Sequence, residues 1–331
     1  MTAHRDLKNI IRDRMAKTGE SYSAARVHVV RASAELQGLP IVATPTLAAA
    51  ETVEAIVLKV NEQSARVRIP GEAGAVTFRS SGAVGRLVPG HIATLTVKRR
   101  WTHRGHAYAS GTVAGSRFDI TKLGLVPLPL SDRGLYDFAS SEPYRRPEPY
   151  APLWRRLTRK PRPAFEMHAI AWDAIAFSAG DLDTAPVSDA AELARAGEVD
   201  RARELLMDVL AEDLRCIDAH AHLGNLAIDR SPAEAMVHYE IGLRIGELSL
   251  EPGFEGLLPW VMLYNRPFLR ALHGYGLCHW RLGRLREAEQ VFERLLSLNP
   301  NDNQGARCCW DDVRNGRTWE EARDRDLAAL H

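Results

Sequence analysis

The chain has 331 residues, of which 45% are apolar and 26% are charged, and 43 Lys+Arg against 42 Asp+Glu leave a net charge of +1. These values are typical of a globular protein with two or more domains, and they exclude a collagen, a coiled-coil rod and a wholly disordered chain. The polar start is unlike a signal peptide, and no apolar run approaches the ~18 residues of a membrane span. We therefore expect a soluble cytoplasmic protein with no membrane partner.

The balanced total charge hides a difference between the two halves of the chain. Residues 1–163 contain 26 Lys+Arg against 13 Asp+Glu, a net charge of +13, whereas residues 164–331 contain 17 against 29, a net charge of −12. A basic half is typical of a protein that binds an anion or a nucleic acid. The alternative is that the two halves neutralise each other and leave no charge for an external partner.

The N-terminal segment predicts a helical hairpin over residues 1–32. Apolar residues recur at helical spacing, Gly19 provides a stop, and Ser21 can cap a second helix. Residues 14–26 resemble a short N-terminal module attached to varied bacterial domains, a resemblance that implies no chemistry. Residues 33–50 are rich in Ala, Leu and Pro without a regular period, which predicts a linker.

From residue 51 to residue 120 the apolar pattern has a period of two, which predicts short β-strands separated by Gly-bearing turns. The segments with this pattern are 53–60, 65–69, 75–79, 92–99 and 107–113. In the second of them Ala65 and Val67 would point inward while Arg66 and Arg68 point outward. Five such strands predict a small β-barrel with OB-like or SH3-like closure, which would leave no exposed edge.

Residues 121–163 are predicted to form an extended strap. Eight prolines and three basic pairs make long regular structure unfavourable here. The same stretch carries Leu123, Leu128 and Trp154, which is too apolar for a free tether. We therefore expect this strap to lie along both flanking domains.

Residues 164–331 return to helical spacing, and small residues recur within that spacing. The repeated sets are Ala190, Gly197, Ala202; Gly224, Ser231, Ala235; and Gly276, Gly283, Ala288. Each set is followed by a large residue, namely Leu206, Tyr239 and Phe292. The first two sets are 34 residues apart, the period of tetratricopeptide (TPR) repeats, and the third follows after 52 residues. The region therefore resembles a TPR array.

The repeated residue types have a physical reason. Two antiparallel helices approach closely only where side chains are small, so Gly276 and Ala288 are predicted at a helix crossing, with Phe292 filling the gap to the next unit. One such hairpin cannot bury its apolar face alone, so neighbouring hairpins must stack. Thr318 and Glu321 form a capping-box pattern that predicts a last, solvent-capping helix over Trp319–Leu330.

Longer segments are similar to a family of bacterial cytoplasmic TPR proteins of uncharacterised function, from the barrel to about residue 314. The most extensive are Asp218-Ala-His-Ala-His-Leu-Gly-Asn225, Asn265-Arg-Pro-Phe-Leu-Arg270 and Leu298-Asn-Pro-Asn-Asp-Asn-Gln-Gly305. This resemblance implies a TPR fold and no established activity.

Common catalytic and metal-binding motifs are missing. The chain contains no P-loop, no dinucleotide-binding glycine motif, no G-x-S-x-G and no H-E-x-x-H. The close pairs His103 and His106, His220 and His222, and Cys308 and Cys309 lack structural-zinc spacing. We predict no catalytic residue, no cofactor and no metal, although acid–base groups that converge only in the fold leave no motif in a sequence.

The first candidate binding surface is the predicted hairpin around Trp101. Cations track phosphates, and aromatic faces stack on bases of any identity, so this surface predicts nucleic-acid binding. Its candidate residues are Arg66, Arg68, Arg79, Lys98, Arg99, Arg100, Trp101, Arg104 and Tyr108. The alternative is that both aromatic residues belong to the barrel core or pack on the strap.

The second candidate surface is the groove lined by the first helix of each repeat. The resemblance to TPR arrays places peptide-binding residues there, namely Asp218, Asn225, Asp229, Arg270, His273, Trp280 and Arg281. Arg270 and Arg281 would suit a carboxylate, because a guanidinium presents a planar fork of donors. For Trp280 the alternative is packing between repeats.

An insertion over residues 251–268 separates the second and third repeats. Its aromatic residues Phe254, Trp260, Tyr264 and Phe268 are too many for a solvated loop. They either plug the groove or bind a partner.

Together these patterns predict an α+β multidomain chain with a helical hairpin, a small barrel, a strap and a TPR-like array over residues 164–331 with a capping helix. The leading hypothesis is a non-enzymatic adaptor or scaffold that binds an unidentified protein or peptide partner. The alternative is a nucleic-acid-binding regulatory protein that uses the basic N-terminal half and the barrel.

Overall fold

The computed structural model describes residues 51–80, 84, 87–136, 150–168 and 186–328, together with Arg14. Apart from Arg14, which is helical, the predicted N-terminal hairpin and linker lie outside the described residues. The chain divides into two compact units, one of residues 1–87 and 93–116 and one of residues 88–92 and 117–331. Within the described ranges, no helix combines the length and the apolar character needed to cross a bilayer.

The first unit contains most of the barrel. Its strands are β1 (Glu51–Val60), β2 (Ser64–Arg68), β3 (Val76–Ser80), β4 (His91–His103) and β5 (His106–Phe118). Residues 91–92 of β4 and 117–118 of β5 fall in the second unit. The strands form a closed barrel in the order β1-β2-β3-β5-β4. β2 pairs antiparallel with both β1 and β3, and β3 pairs parallel with β5. The predicted five-stranded barrel is confirmed, and its strand order is the OB-like one of the two closures that the sequence left open.

Strand alternation fills the barrel interior. Ala65 and Val67 are fully buried and Phe78 of β3 is fully buried beside them, whereas Arg66 is partly exposed and Arg68 is exposed. The inward and outward assignment of the second predicted strand is therefore confirmed. The two-residue turn between β4 and β5 has positive φ at both Arg104 (48°) and Gly105 (74°), the backbone of a type I′ hairpin turn.

The strap contains short regular elements. These are α1 (Ile120–Leu123), β6 (Leu130–Tyr136), α2 (Tyr150–Leu157) and β7 (Arg162–Met167), and β6 pairs antiparallel with β7. The hydroxyl of Tyr150 donates to the carbonyl of Pro300 at 2.8 Å, and the amide of Leu128 donates to the hydroxyl of Ser249 at 2.8 Å. The strap is thus fastened to the helices of the second unit.

The helices of the second unit follow one another in pairs. They are α3 (Pro186–Arg195), α4 (Val199–Glu212), α5 (Ile217–Ile228), α6 (Pro232–Glu247), α7 (Arg266–Arg281), α8 (Leu285–Leu298), α9 (Ala306–Arg314) and α10 (Trp319–Ala328). Each helix of the first three pairs packs on its partner, and α5 also packs on α7. Thr318 and Glu321 make both hydrogen bonds of the predicted capping box at the start of α10.

Glycines allow large rings to lie between these helices. A Cβ atom added to Gly224 of α5 would stand 2.6 Å from the Tyr239 ring, and one added to Gly274 of α7 would stand 2.3 Å from the same ring. One added to Gly276 would stand 2.7 Å from the ring of Phe292. Tyr239 therefore joins two successive helix pairs, whereas Phe292 lies against a glycine of its own pair.

The insertion between α6 and α7 is held by backbone pairing with the strap. The amide of Phe165 donates to the carbonyl of Leu257, and the amide of Leu257 donates to the carbonyl of Pro163, both at 2.8 Å. The ring of Phe254 lies 5.4 Å from that of Phe165. The side chain of Asn265, which has no exposed surface, accepts from the amide of Met167 at 2.8 Å and donates to the carbonyls of Phe165 and Pro259 at 2.9 and 3.1 Å.

Five histidines among the described residues of the second unit carry a buried ring nitrogen without a hydrogen-bond partner, namely His91, His220, His238, His273 and His279. The Nδ1 atoms of His91, His220 and His238 find no hydrogen-bond partner within the described ranges, while Nε2 of His220 lies 3.1 Å from the carbonyl oxygen of Leu214. Burial is the main cause that lowers the pKa of His220 to about 3 and that of His238 to about 4. For His238 the charge of Glu234 opposes this shift, and the charges of His91 and Arg203 add to it.

These lowered pKa values predict acid sensitivity of the helical unit. Because His220 and His238 stay neutral in the folded state, stability is fully present above pH ~6.5, and below it the unfolded state binds up to two more protons. We expect the free energy of unfolding to fall as the pH falls, with a slope from these two groups that is half of ~2.7 kcal/mol per pH unit at pH ~6.5 and approaches this full value near pH 5. Denaturant titrations between pH 5 and pH 7 measure it. A double variant, His220→Gln with His238→Gln, should flatten the dependence, and an unchanged slope would contradict the assignment.

Candidate partner-binding site

The first helices of the second and third predicted repeats are joined by an ion pair near their N-terminal ends. Nη1 of Arg270 on α7 lies 2.5 Å from Oδ1 of Asp218 on α5. The Asp218 side chain is only 7% exposed, whereas 35% of the Arg270 side chain remains exposed. Nε2 of His222 lies 3.9 Å from the same carboxylate oxygen. Asp218 is thus buried beneath the surface of the helices, whereas Arg270 remains partly exposed to solvent.

A second ion pair joins the same two helices near their C-terminal ends. Nη1 of Arg281 lies 3.3 Å from Oδ1 of Asp229, whose side chain is 98% exposed. In both pairs the arginine stands 52 residues after the aspartate. The two arginines are 11 residues apart on α7, and Asp218 is 11 residues before Asp229, the residue that caps the C-terminal end of α5. Eleven residues are about three helical turns, or ~16 Å. The two pairs therefore lie on one continuous face of α5 and α7.

Indole rings flank both arginines. The guanidinium of Arg270 lies 5.9 Å and that of Arg266 lies 5.1 Å from the centre of the Trp260 ring, and Nε of Arg266 donates to the Trp260 carbonyl at 3.0 Å. The guanidinium of Arg281 lies 5.3 Å from the centre of the Trp319 ring. Cation–π attraction holds these flexible side chains in place. Trp260 is the residue through which the insertion reaches the predicted groove.

The other predicted groove residues have structural roles. Trp280 is 4% exposed, donates from Nε1 to the carbonyl of Arg317 at 2.9 Å, and packs edge-on against Trp319 with ring centres 5.1 Å apart. This is the packing alternative stated for Trp280. The His273 ring lies edge-on against Phe292, and burial lowers its pKa. Both side chains therefore belong to the packing between helices.

Asn225 remains on the surface of α5. Its Oδ1 accepts a hydrogen bond of 2.6 Å from the hydroxyl of Tyr239, and burial raises the pKa of that tyrosine. Asn225 thus orients the ring that joins the two helix pairs. Sequence reasoning missed Arg266, His222 and Trp319 as neighbours of the ion pairs, although His222 follows Asp218 by one helical turn, a spacing that could have identified it.

The predicted nucleic-acid residues divide by their environment. Arg100 is engaged by two carboxylates, with Nη2 3.4 Å from Glu51 and Nη1 2.8 Å from Glu72. The exposed members of the set are Arg68, Arg79, Lys98, Arg99 and Arg104, and the partly exposed members are Arg66, Trp101 and Tyr108. Trp101 and Tyr108 stack on each other outside the buried barrel core.

Basic residues of the strap are used within the second unit. Arg156 forms an ion pair with Glu293 of α8. Arg162 donates from Nε to the carbonyl of Glu255 at 2.9 Å and from Nη1 to the carbonyl of Ser297 at 2.8 Å. Part of the positive charge of residues 1–163 therefore serves to hold the strap on the acidic helical half.

The helix pair α7 and α8 identifies the type of helical repeat. Residues 269–302 match the tetratricopeptide repeat family. The match begins within α7, continues through α8 and confirms the third predicted TPR unit. The searches of curated proteins and of solved structures find no significant match. TPR repeats generally act as scaffolds for protein–protein interaction, so the chain carries a module of that general kind.

The TPR period also accounts for the end of the chain. Trp310 and Ala322 stand 34 residues after Gly276 and Ala288, and they are 5% and 3% exposed. The helices α9 and α10 therefore keep the 34-residue spacing, although only the capping helix was predicted. Among the residues that the structure places, no group of three or more His, Cys, Asp or Glu side chains is arranged to hold a metal ion.

Proposed function

We propose that this chain is a non-enzymatic cytoplasmic adaptor whose TPR face on α5 and α7 binds a peptide segment of a protein partner. The observation that carries the proposal is the pair of Asp–Arg contacts at matching positions of the two helices. Stacked repeats expose the same positions of successive helices along one extended surface, which a partner segment can follow.

The charges on this face are unequal at its two ends. At the N-terminal end Asp218 is buried while Arg270 and the neighbouring Arg266 offer cationic groups. At the C-terminal end the Asp229 carboxylate is 98% exposed and the Arg281 side chain is only 18% exposed. A matching partner presents an acidic group and, ~16 Å away, a basic group, a separation of about five extended residues. Charge complementarity of this kind selects a partner and sets its direction.

Substitution of Asp229 tests the proposal without disturbing the fold, because the carboxylate is exposed and an exposed ion pair contributes little stability. A photo-crosslinking residue at position 222 of the full chain should give a discrete protein adduct in a lysate of the natural host. We expect Asp229→Lys to reduce that adduct at least tenfold. The matched control is Asp324→Lys on α10, another exposed aspartate paired with an arginine, which should leave the adduct unchanged.

Two results would overturn the proposal. One is an adduct of equal yield in the wild type, Asp229→Lys and Asp324→Lys proteins. The other is no adduct from position 222 while the circular dichroism spectrum shows a folded chain. A partner identified in this way should contain the acidic and basic groups in the stated order.

A further inference from the structure

A row of side chains crosses the outer face of the barrel. Arg66 of β2 stands opposite Thr77 of β3, and Thr77 stands opposite Tyr108 of β5. The Tyr108 ring is stacked on that of Trp101 of β4, with ring centres 5.4 Å apart and planes inclined by 10°. Four neighbouring strands therefore contribute to one surface that is confined to the first unit.

The two stacked rings lie between two guanidinium groups. The guanidinium of Arg79 lies 5.6 Å from the centre of the Tyr108 ring, and that of Arg99 lies 5.6 Å from the centre of the Trp101 ring. Both arginines are exposed, and both rings are partly exposed rather than buried in the core. Their order across the surface is cation, ring, ring, cation.

The positive charge of this surface is not balanced locally. In the described part of the chain, no carboxylate lies within ion-pair distance of Arg66, Arg79 or Arg99. Arg100, the next residue of β4, shows the contrast, because Glu51 and Glu72 both engage it. Residues 51–116 contain nine Lys+Arg and four Asp+Glu. Two of these cations, Arg79 and Arg99, lie beside the two rings.

We propose that this outer face of the barrel binds single-stranded nucleic acid. The ligand that fits must be a polyanion whose units also carry flat aromatic faces, which an acidic peptide lacks. A single strand exposes its bases, which can stack on the outer faces of Trp101 and Tyr108 when the exposed side chains of Arg79 and Arg99 turn from the rings to its phosphates. Arg66 approaches a further phosphate. A duplex keeps its bases paired and stacked, so it can use the cations and not the rings. This function goes beyond the proposed adaptor role and does not depend on it.

Binding of labelled oligonucleotides to the full chain tests this proposal. The probes are ~15-nucleotide oligo(U) and oligo(dT), long enough for one barrel, and a duplex of the same length. We expect both single strands to bind at least tenfold more tightly than the duplex, with the RNA and DNA arms showing which sugar is preferred. Neutralisation of about three phosphates by Arg66, Arg79 and Arg99 should give a slope near −2 in a plot of log K against log salt.

Variants assign the binding to the named residues. Trp101→Ala should weaken single-strand binding about tenfold, as the loss of one stacked base predicts, while Trp101→Phe retains most of it. The double variant Arg79→Ala with Arg99→Ala should also weaken binding and make the salt slope shallower by about 1.4. Arg100→Gln removes one charge from the same hairpin at a residue already held by two carboxylates, and it should change affinity less than twofold.

Several outcomes would overturn the proposal. They are an absence of single-strand binding, equal affinity for single strand and duplex, equal losses in Arg100→Gln and in the double variant Arg79→Ala with Arg99→Ala, or poly-glutamate competing as well as oligo(U). Ultraviolet crosslinking with peptide mapping gives a readout that does not depend on the variants folding. A crosslinked peptide from the β4–β5 hairpin supports the proposal, and crosslinks confined to other segments contradict it.

Discussion

Gly274→Ala is expected to destabilise the helical unit by about 2 kcal/mol or more, the cost of overpacking a filled interface. The added methyl group would stand 2.3 Å from the Tyr239 ring, and that ring cannot move away because Gly224 already borders it on another side. Alanine is otherwise favoured over glycine in a helix by ~1 kcal/mol, so backbone propensity predicts the opposite sign. Urea denaturation followed by far-UV circular dichroism measures the change.

Gly242→Ala is the matched control for this substitution. It places the same methyl group in the middle of α6, where the nearest atom, Cγ2 of Ile217, is 3.3 Å away. We expect a change of less than ~1 kcal/mol, because helix propensity offsets the tighter contact. Adding Tyr239→Leu to Gly274→Ala should recover part of the lost stability. Purely additive effects, or a stable Gly274→Ala protein, would contradict the placement of the Tyr239 ring.

Asn265→Ala is expected to be the most damaging substitution of a polar residue in the insertion, at about 4 kcal/mol. It would leave the amide of Met167 and the carbonyls of Phe165 and Pro259 without their side-chain partner in a fully buried position. Each buried polar group left without a hydrogen bond costs ~1–3 kcal/mol. The same urea experiment measures the loss, which should appear together with increased proteolysis of the strap.

Asn315→Ala provides the corresponding exposed control. The Asn315 amide donates to the carbonyl and the side chain of Asp311, both at 2.8 Å, at the solvent-exposed end of α9. Water replaces such bonds, so the expected loss is below ~1 kcal/mol. Similar losses for Asn265→Ala and Asn315→Ala would show that the strap and the insertion are not joined through Asn265.

Local sequence patterns were sufficient to predict the barrel and the third repeat. The alternation of Ala65 and Val67 with arginines predicts a strand that has one buried face and one face exposed to solvent. The sequence does not distinguish OB-like from SH3-like closure, because the parallel pairing that places Thr77 opposite Tyr108 joins segments distant in sequence. Strand β7 was not predicted either, because prolines disfavour regular structure in the strap. The backbone of β7 forms hydrogen bonds with Leu257 of the insertion, which is distant in sequence.

The candidate site could be predicted only in part. The positions of Asp218 and Arg270 follow from the repeat spacing, which indicates the helix face but not the partner of each side chain. The repeat spacing predicts Trp280 in the groove. Its packing against Trp319 of α10 depends on the path of the chain after α9, which the spacing does not indicate. The helix α9 was missed because Trp310 occupies the position where the earlier repeats have a small residue.

The shared face of α5 and α7 depends on the stacking of successive helix pairs, which nuclear magnetic resonance can measure. Selective labelling of tyrosine ring protons and glycine α-protons in the full chain allows nuclear Overhauser contacts of Tyr239 to be observed. Stacked pairs predict cross-peaks from the Tyr239 ring to both Gly224 and Gly274. Cross-peaks to Gly224 alone, or to neither glycine, would contradict the stacking.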